Sequence, residues 1–302
     1  MKKDNTLPNT ASDLQNLSII FRDAARKAEE QARDLEHQAR RARDEAFALN
    51  AKASILENAH LLVKTENRAN FVAPQLDKKL AKTGKNTRVV FLIDGSGSMG
   101  ARLGSSVGYS YSSAPNPDTE TPLAYAIGTA ANVSQKVVDN KGKAETLMFG
   151  DSNPPWVDLQ DIEVRAKVAK GLNSGTDLAP ALEKLAKTVK KSQDTHIVIL
   201  SDGDMFDSEK SKATLQNLLD QNPKLTLGLV EINNRNSPSM SRLISSLATD
   251  GREKRIEIQL RATSFEEVSL GVSQLLTNRL AEQEKAQKAA ARKRKSPAKP
   301  KP

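Results

Sequence analysis

The chain has 302 residues, with 46 Lys and Arg against 37 Asp and Glu, and no cysteine. That length suffices for one sizeable core plus an accessory element, and the missing cysteines exclude a disulfide framework and thiol chemistry. The opening MKKDNTLPNTAS carries charge but no apolar core, and no stretch approaches the ~20 apolar residues of a membrane span, so a cytoplasmic protein without membrane association is expected.

Residues Met1 to Asn9 read as disordered. Thr10-Ala11-Ser12-Asp13 fits a capping box, and a long helix is predicted from there to about Lys64. Its apolar residues follow a heptad. One set holds Leu14, Phe21, Ala28, Leu35, Ala42, Leu49, Leu56 and Val63, and the other holds Ala25, Ala32, Ala39, Ala46 and Ala53, ending at the polar His60. At ~1.5 Å per residue such a helix exceeds what a single domain accommodates. Its seam calls for a homodimer, a hairpin with another helix, or a different partner; otherwise it stands as a solvated helix. The pattern breaks at Pro74 and Gly84, so 66–87 reads as a linker carrying a short helix, Gln75 to Ala81.

Arg88 to Gly100 reads RVVFLIDGSGSMG. Val89 to Ile93 is a continuous, β-branched-rich apolar run, suited to a strand buried on both faces of a parallel sheet. In open α/β sheets ligands bind just beyond the carboxyl ends of strands. Asp94, Ser96 and Ser98 therefore set one carboxylate and two hydroxyls on a tight loop where a ligand would sit, and Gly95 and Gly97 let the backbone fold closely around it. All three are hard oxygen donors, which favours Mg²⁺ or Mn²⁺ over zinc. Taken alone, Asp-Gly-Ser-Gly-Ser is equally a polar turn.

Gly100 to Pro122 is a Gly-, Ser- and Pro-rich insertion holding Tyr109 and Tyr111, which suits protein recognition or an unstructured surface loop equally. Beyond it the chain alternates: helix Leu123–Val138, strand Glu145–Phe149, edge strand Trp156–Leu159, helix Ile162–Lys170, helix Leu178–Lys191 and a strand from His196 to Asp202. Then follow helix Met205–Asp220, strand Leu225–Ile232, helix Ser239–Ala248, strand Ile256–Leu260 and a helix from Phe265 to about Ala290. His196 reads as structural. This alternation argues a doubly wound, mostly parallel α/β sheet with helices on both faces.

Two later segments sharpen the loop at Asp94. Asn173-Ser174-Gly175-Thr176-Asp177 opens a helix, and Ile197-Val198-Ile199-Leu200-Ser201-Asp202-Gly203 is a second buried strand ending in a carboxylate. Asp-x-Ser-x-Ser, then Gly-Thr, then Ser-Asp-Gly, each at an element boundary, resembles the von Willebrand factor A (VWA) family and its metal-ion-dependent adhesion site, over roughly Asn86 to Leu280. The resemblance implies a divalent cation on top of the sheet, bound directly by Ser96, Ser98 and Thr176 and partly through water by Asp94 and Asp202. It also implies that a carboxylate of a partner protein takes the remaining position. Asp204 is an extra acid with no assured counterpart.

The expected organisation is 1–65 disordered start and heptad helix, 66–87 linker, 88–280 VWA domain, and 281–302 basic disordered tail. Lys285 to Pro302 holds eight Lys and Arg and no acid. It is too Pro-rich and charged to fold alone, and suits weak nucleic-acid contact or simple solubilisation. The favoured function is a non-enzymatic, metal-dependent protein-binding module. Intracellular bacterial relatives imply an adaptor for a MoxR- or chelatase-type AAA+ ATPase, or a tellurite-resistance-like system. The alternatives are a metal-dependent phosphoesterase and a nucleic-acid-associated scaffold acting through the tail. The phosphoesterase is disfavoured because Ser96 stands where a second Asp would be wanted, and no His or Lys adjoins the motifs.

Overall fold

The computed structural model describes residues 11–69, 74–100, 121–150, 153–168, 175–203, 208–232, 239–249 and 251–295. The chain divides into two compact units, Met1–Ser54 and Ile55–Pro302. Helix α1, Ala11–Ala69, begins in the first unit and continues past its end. Its described side chains in the first unit are solvent-exposed, with Ser18 half-buried.

The second unit is built on a six-stranded sheet of β1 (Thr87–Asp94), β2 (Lys143–Phe149), β3 (Trp156–Val157), β4 (Asp194–Ser201), β5 (Leu225–Ile232) and β6 (Ile256–Ala262), in the order β3-β2-β1-β4-β5-β6. All neighbours pair in parallel except β3, which runs antiparallel on the β2 edge. The central strand β1 is buried at every position, which is why its sequence shows no polar alternation. Its side chains still alternate between two cores: Val89, Phe91 and Ile93 enter one, Val90 and Leu92 the other. β4 divides likewise, Val198 and Leu200 against Ile197 and Ile199.

Helices α2 (Pro74–Thr83), α3 (Pro122–Asp139) and α8 (Phe265–Lys295) supply Leu76, Leu80, Leu123, Ile127, Val268 and Leu276 to the first core. Helices α5 (Ala179–Ala186), α6 (Ser208–Gln221) and α7 (Ser239–Ser246) supply Leu182, Leu215 and Ile244 to the second. A further short helix, α4, spans Ile162–Val168. α3 is mostly buried and accordingly rich in Ala; it starts at Thr121, whose hydroxyl accepts from the Ala124 N–H at 3.1 Å, with Pro122 at its first turn. From β1 the chain winds one way through α3 to β2. From β4 it winds the other way through α6 and α7 to β5 and β6. The carboxyl ends of β1 and β4 thus flank the point where the winding reverses, where doubly wound sheets open a crevice.

The mixed α/β architecture, with a mostly parallel sheet flanked by helices and a long N-terminal helix, is as the sequence implies. Two stretches differ in detail. The short helix expected within the linker 66–87 is α2, but it docks on the core: its Leu76 and Leu80 are fully buried and its Asp77 and Lys79 pair with Lys136 and Glu284 at 2.9 and 3.0 Å. The final helix, predicted to about Ala290 and overlapping the expected disordered tail 281–302, continues to Lys295. Its Ala-rich composition favours helix, a Lys288–Glu284 pair one turn apart supports it at 2.7 Å, and Pro297 follows only beyond the described end. The start 1–9, the tyrosine-bearing insertion 101–120, Asp204 and the last residues 296–302 lie outside the described residues. Among the described residues no helix is long and apolar enough to cross a membrane.

Candidate metal centre

Asp94 is the last residue of β1 and is fully buried. The loop after it is held on both sides. The Gly95 N–H donates to the Phe149 carbonyl at the end of β2 at 2.8 Å, and Met99, also fully buried, donates its N–H to the Ser96 carbonyl at 3.2 Å. The residues Gly97–Gly100 consequently form one 3₁₀ turn anchored by Met99. This turn brings the Ser96 and Ser98 hydroxyls to 2.9 Å from each other.

Both oxygens of Asp94 are engaged. Oδ1 accepts the Ser96 N–H at 2.9 Å, and Oδ2 accepts the Ser201 hydroxyl at 2.7 Å. Ser201, the last residue of β4, in turn accepts the Gly203 N–H at 3.1 Å. Gly203 holds a positive φ of 99°, open to glycine at little cost, and its carbonyl accepts the Met240 N–H at 3.0 Å and the Ser239 hydroxyl at 2.7 Å. One chain of hydrogen bonds thus runs from the β1 loop through the β4 end to the start of α7. Ser201 is the residue that sequence reasoning passed over: it stood inside the Ser-Asp-Gly motif, but nothing in one dimension says that its hydroxyl reaches back to Asp94.

Asp202 lies half-buried just beyond Ser201. The Asp94 carboxyl is pushed up to about 7, first by burial and then by the charge of Asp202, against the hydrogen bonds from Ser96 and Ser201. Thr176 is buried in the segment leading into α5. The Ala179 N–H is accepted by Asp177 Oδ1 at 3.0 Å, so the cap-like bond at this helix start belongs to Asp177 and not to Thr176. Asp94, Ser96 and Ser98 are therefore brought together with Asp202 at the switch point. Thr176 makes no hydrogen bond to that network among the described residues.

The donor set suits a hard dication: two carboxylates, whose mutual repulsion a cation relieves, beside paired hydroxyls on one tight turn. It is not a cluster of acids. Among the described residues no group of three or more His, Cys, Asp or Glu could hold a metal. His196 belongs elsewhere. It is buried within β4, its Nδ1 lies 2.8 Å from the Thr226 hydroxyl, and burial pushes its pKa down to about 4, so it is a neutral structural group.

No family model matches the chain, and no curated protein matches it. Among solved structures it is similar to proximal thread matrix protein 1 from the mussel byssus, with 13% identity over 65% of this chain and 48% of that one and a TM-score of 0.44. It is also similar to the manganese-loaded TRAP protein of Plasmodium vivax, with 15% identity over 64% of this chain and 74% of that one and a TM-score of 0.41. The Ro (RSR) protein of Deinococcus radiodurans matches with 15% identity over 63% of this chain and a TM-score of 0.40, and the match spans 35% of that protein's length.

Proposed function

We propose that this chain is a non-enzymatic, divalent-cation-dependent protein-binding module of the VWA type, acting in the cytoplasm. Asp94, Ser96, Ser98, Thr176 and Asp202 are the residues that would hold the cation, Mg²⁺ or Mn²⁺. The observation that carries this reading is the Asp94 carboxylate: buried at the switch point, held by Ser96 and Ser201, and facing the charge of Asp202. When bound, the cation supplies a Lewis-acidic position that accepts one more anionic oxygen. The chain's own residues do the rest. Asp94 and Asp202 would neutralise the ion, while Ser201 and the Ser96 N–H orient the Asp94 carboxylate and the Met99 anchor presents the Ser96 and Ser98 hydroxyls. The fitting partner is a protein that offers an Asp or Glu side chain, and a MoxR- or chelatase-type AAA+ ATPase, or a tellurite-resistance-like system, is the machine this adaptor would serve.

The test is titration calorimetry with MgCl₂ and MnCl₂ on the wild type and on an Asp94→Ala, Asp202→Ala double variant, followed by capture of partners from the native cell with and without EDTA. Cation binding abolished in the variant, with a partner released by EDTA, supports the reading. Equal cation binding in both proteins refutes the site. A partner retained in EDTA refutes the metal-dependent mode, and truncating one side of a desolvated charged contact commonly costs ~2–5 kcal/mol, so such a loss is readily seen.

A further inference from the structure

We infer that the N-terminal helix pairs with a second copy of itself in an antiparallel coiled coil whose two-fold axis falls between Arg40 and Arg41. This pairing does not rest on the metal site.

The starting observation is exposed apolar surface. Phe21, Leu35 and Leu49 fall on one face at heptad spacing, yet are 69, 65 and 65% exposed. Single exposed apolar residues need no explanation, but a row of them along a helix does. Between them the seam is filled by Ala25, Ala28, Ala32, Ala39, Ala42 and Ala46. What covers such a face must alternate in size the opposite way.

A second copy does so only when reversed. In the antiparallel register about Arg40 and Arg41, Ala32 faces Leu49 of the second copy, Leu35 faces Ala46, and Ala39 faces Ala42. Leu35 and Leu49 thus each meet an alanine, and no leucine meets a leucine along these layers. A parallel, in-register pair fails this test. Ala25, Ala28 and Ala32 would each meet themselves, followed by Leu35 on Leu35, a wider swing in layer size than leucine on alanine followed by alanine on alanine.

Charge selects the same arrangement. Glu36 and Arg43 each sit directly after a seam position, where antiparallel helices meet like positions. About the Arg40/Arg41 axis, Glu36 meets Arg43 of the second copy, and Arg43 meets Glu36, giving two symmetric attractive pairs. A slip of one heptad either way sets Glu36 against Glu36 or Arg43 against Arg43. In the parallel pair the facing residues are Gln31 and Gln38, which carry no charge. Steric and electrostatic complementarity therefore agree on one partner and one register.

The test uses the full chain, which has no native cysteine to interfere. Leu35→Cys and Ala46→Cys variants are prepared separately, then oxidised alone and as a mixture. In the inferred register position 35 lies across from position 46. Positions 35 and 35, or 46 and 46, are about 16 Å apart along the axis by helix rise, beyond the ~7 Å that a disulfide spans between Cα atoms. The expected result is a crosslinked dimer from the mixture and none from either variant alone, with the wild type sedimenting as a dimer. A Glu36→Arg variant should raise the dimer dissociation constant by about tenfold, and adding Arg43→Glu should restore it. Crosslinks within a single variant, no crosslink in the mixture, or a wild type that stays monomeric at about 100 µM each overturn the inference.

Discussion

Replacing Asp94 by Asn should stabilise the metal-free protein above neutral pH while removing its response to Mg²⁺. A carboxyl whose folded pKa lies above its unfolded value contributes fully below the unfolded value, and that contribution is lost as pH rises through the folded one. For Asp94 the two values are 3.8 and about 7. At about 1.4 kcal/mol per pH unit, the ionised group costs about 4 kcal/mol by pH 8. Asn removes that cost. Its amide can still accept from the Ser96 N–H or from Ser201, but not from both, which returns about 1 kcal/mol. The net gain is then about 3 kcal/mol at pH 8 in EDTA, falling towards zero or slightly below near pH 4. Trp156 is the sole tryptophan and sits on β3, so its fluorescence in urea reports the unfolding of the sheet unit. With Mg²⁺ at a hundred times its dissociation constant, the wild type should gain about 2.7 kcal/mol, and the variant nothing. An Asn variant less stable than wild type at pH 8 in EDTA, by the same margin as at pH 4, would refute the idea that two carboxylates are held together here awaiting a cation.

His196 acts in the opposite direction. Its folded pKa of about 4 lies below the ordinary 6.5, so stability is fully present above pH 6.5 and about 3 kcal/mol is lost as pH falls through 4. In the metal-free wild type the two groups should largely cancel between pH 4 and 7, whereas urea titrations of Asp94→Asn should show stability rising with pH over that window, and His196→Gln should show it falling. At the other end of β1, Arg88 is almost fully buried, with its Nε donating to Glu145 at 2.6 Å and its Nη atoms donating to the Thr188 carbonyl and hydroxyl at 3.0 and 2.8 Å. Arg88→Met should cost about 3 kcal/mol, the low end for breaking a buried pair because Lys143 still reaches Glu145 at 2.8 Å. Calorimetric Mg²⁺ affinity should be unchanged, since this residue lies a full strand away from Asp94.

Much of the architecture is written locally. Val89 to Ile93 and Ile197 to Leu200 are apolar without interruption because both faces of their strands are covered. Each ends in a polar residue because the carboxyl ends of parallel strands meet the connecting loops there, where the buried Asp94 and Ser201 find hydrogen-bond partners. That is enough to place Asp94, Ser96, Ser98 and Asp202 at or just beyond strand ends from the sequence alone. The start of α8's last turns and the docking of α2 are not local properties. The helix predicted to about Ala290 runs on to Lys295, and its Glu284 is paired with Lys79 of α2, 205 residues away in sequence. Leu76 and Leu80 look like residues of a linker until the core they enter exists.

The heptad of the first helix, with its alternation of large and small residues and its Glu36–Arg43 spacing, is determined by the sequence alone, because helical periodicity turns position directly into a face. The electrostatics of the candidate metal centre were decided only by the tertiary structure. Asp94 and Ser201 are more than a hundred residues apart, 107 by sequence, and become partners because β1 and β4 are neighbours at the reversal of a doubly wound sheet. The same pairing buries Asp94 beside Asp202, and burial and proximity are properties of packed space that no single segment of the chain contains.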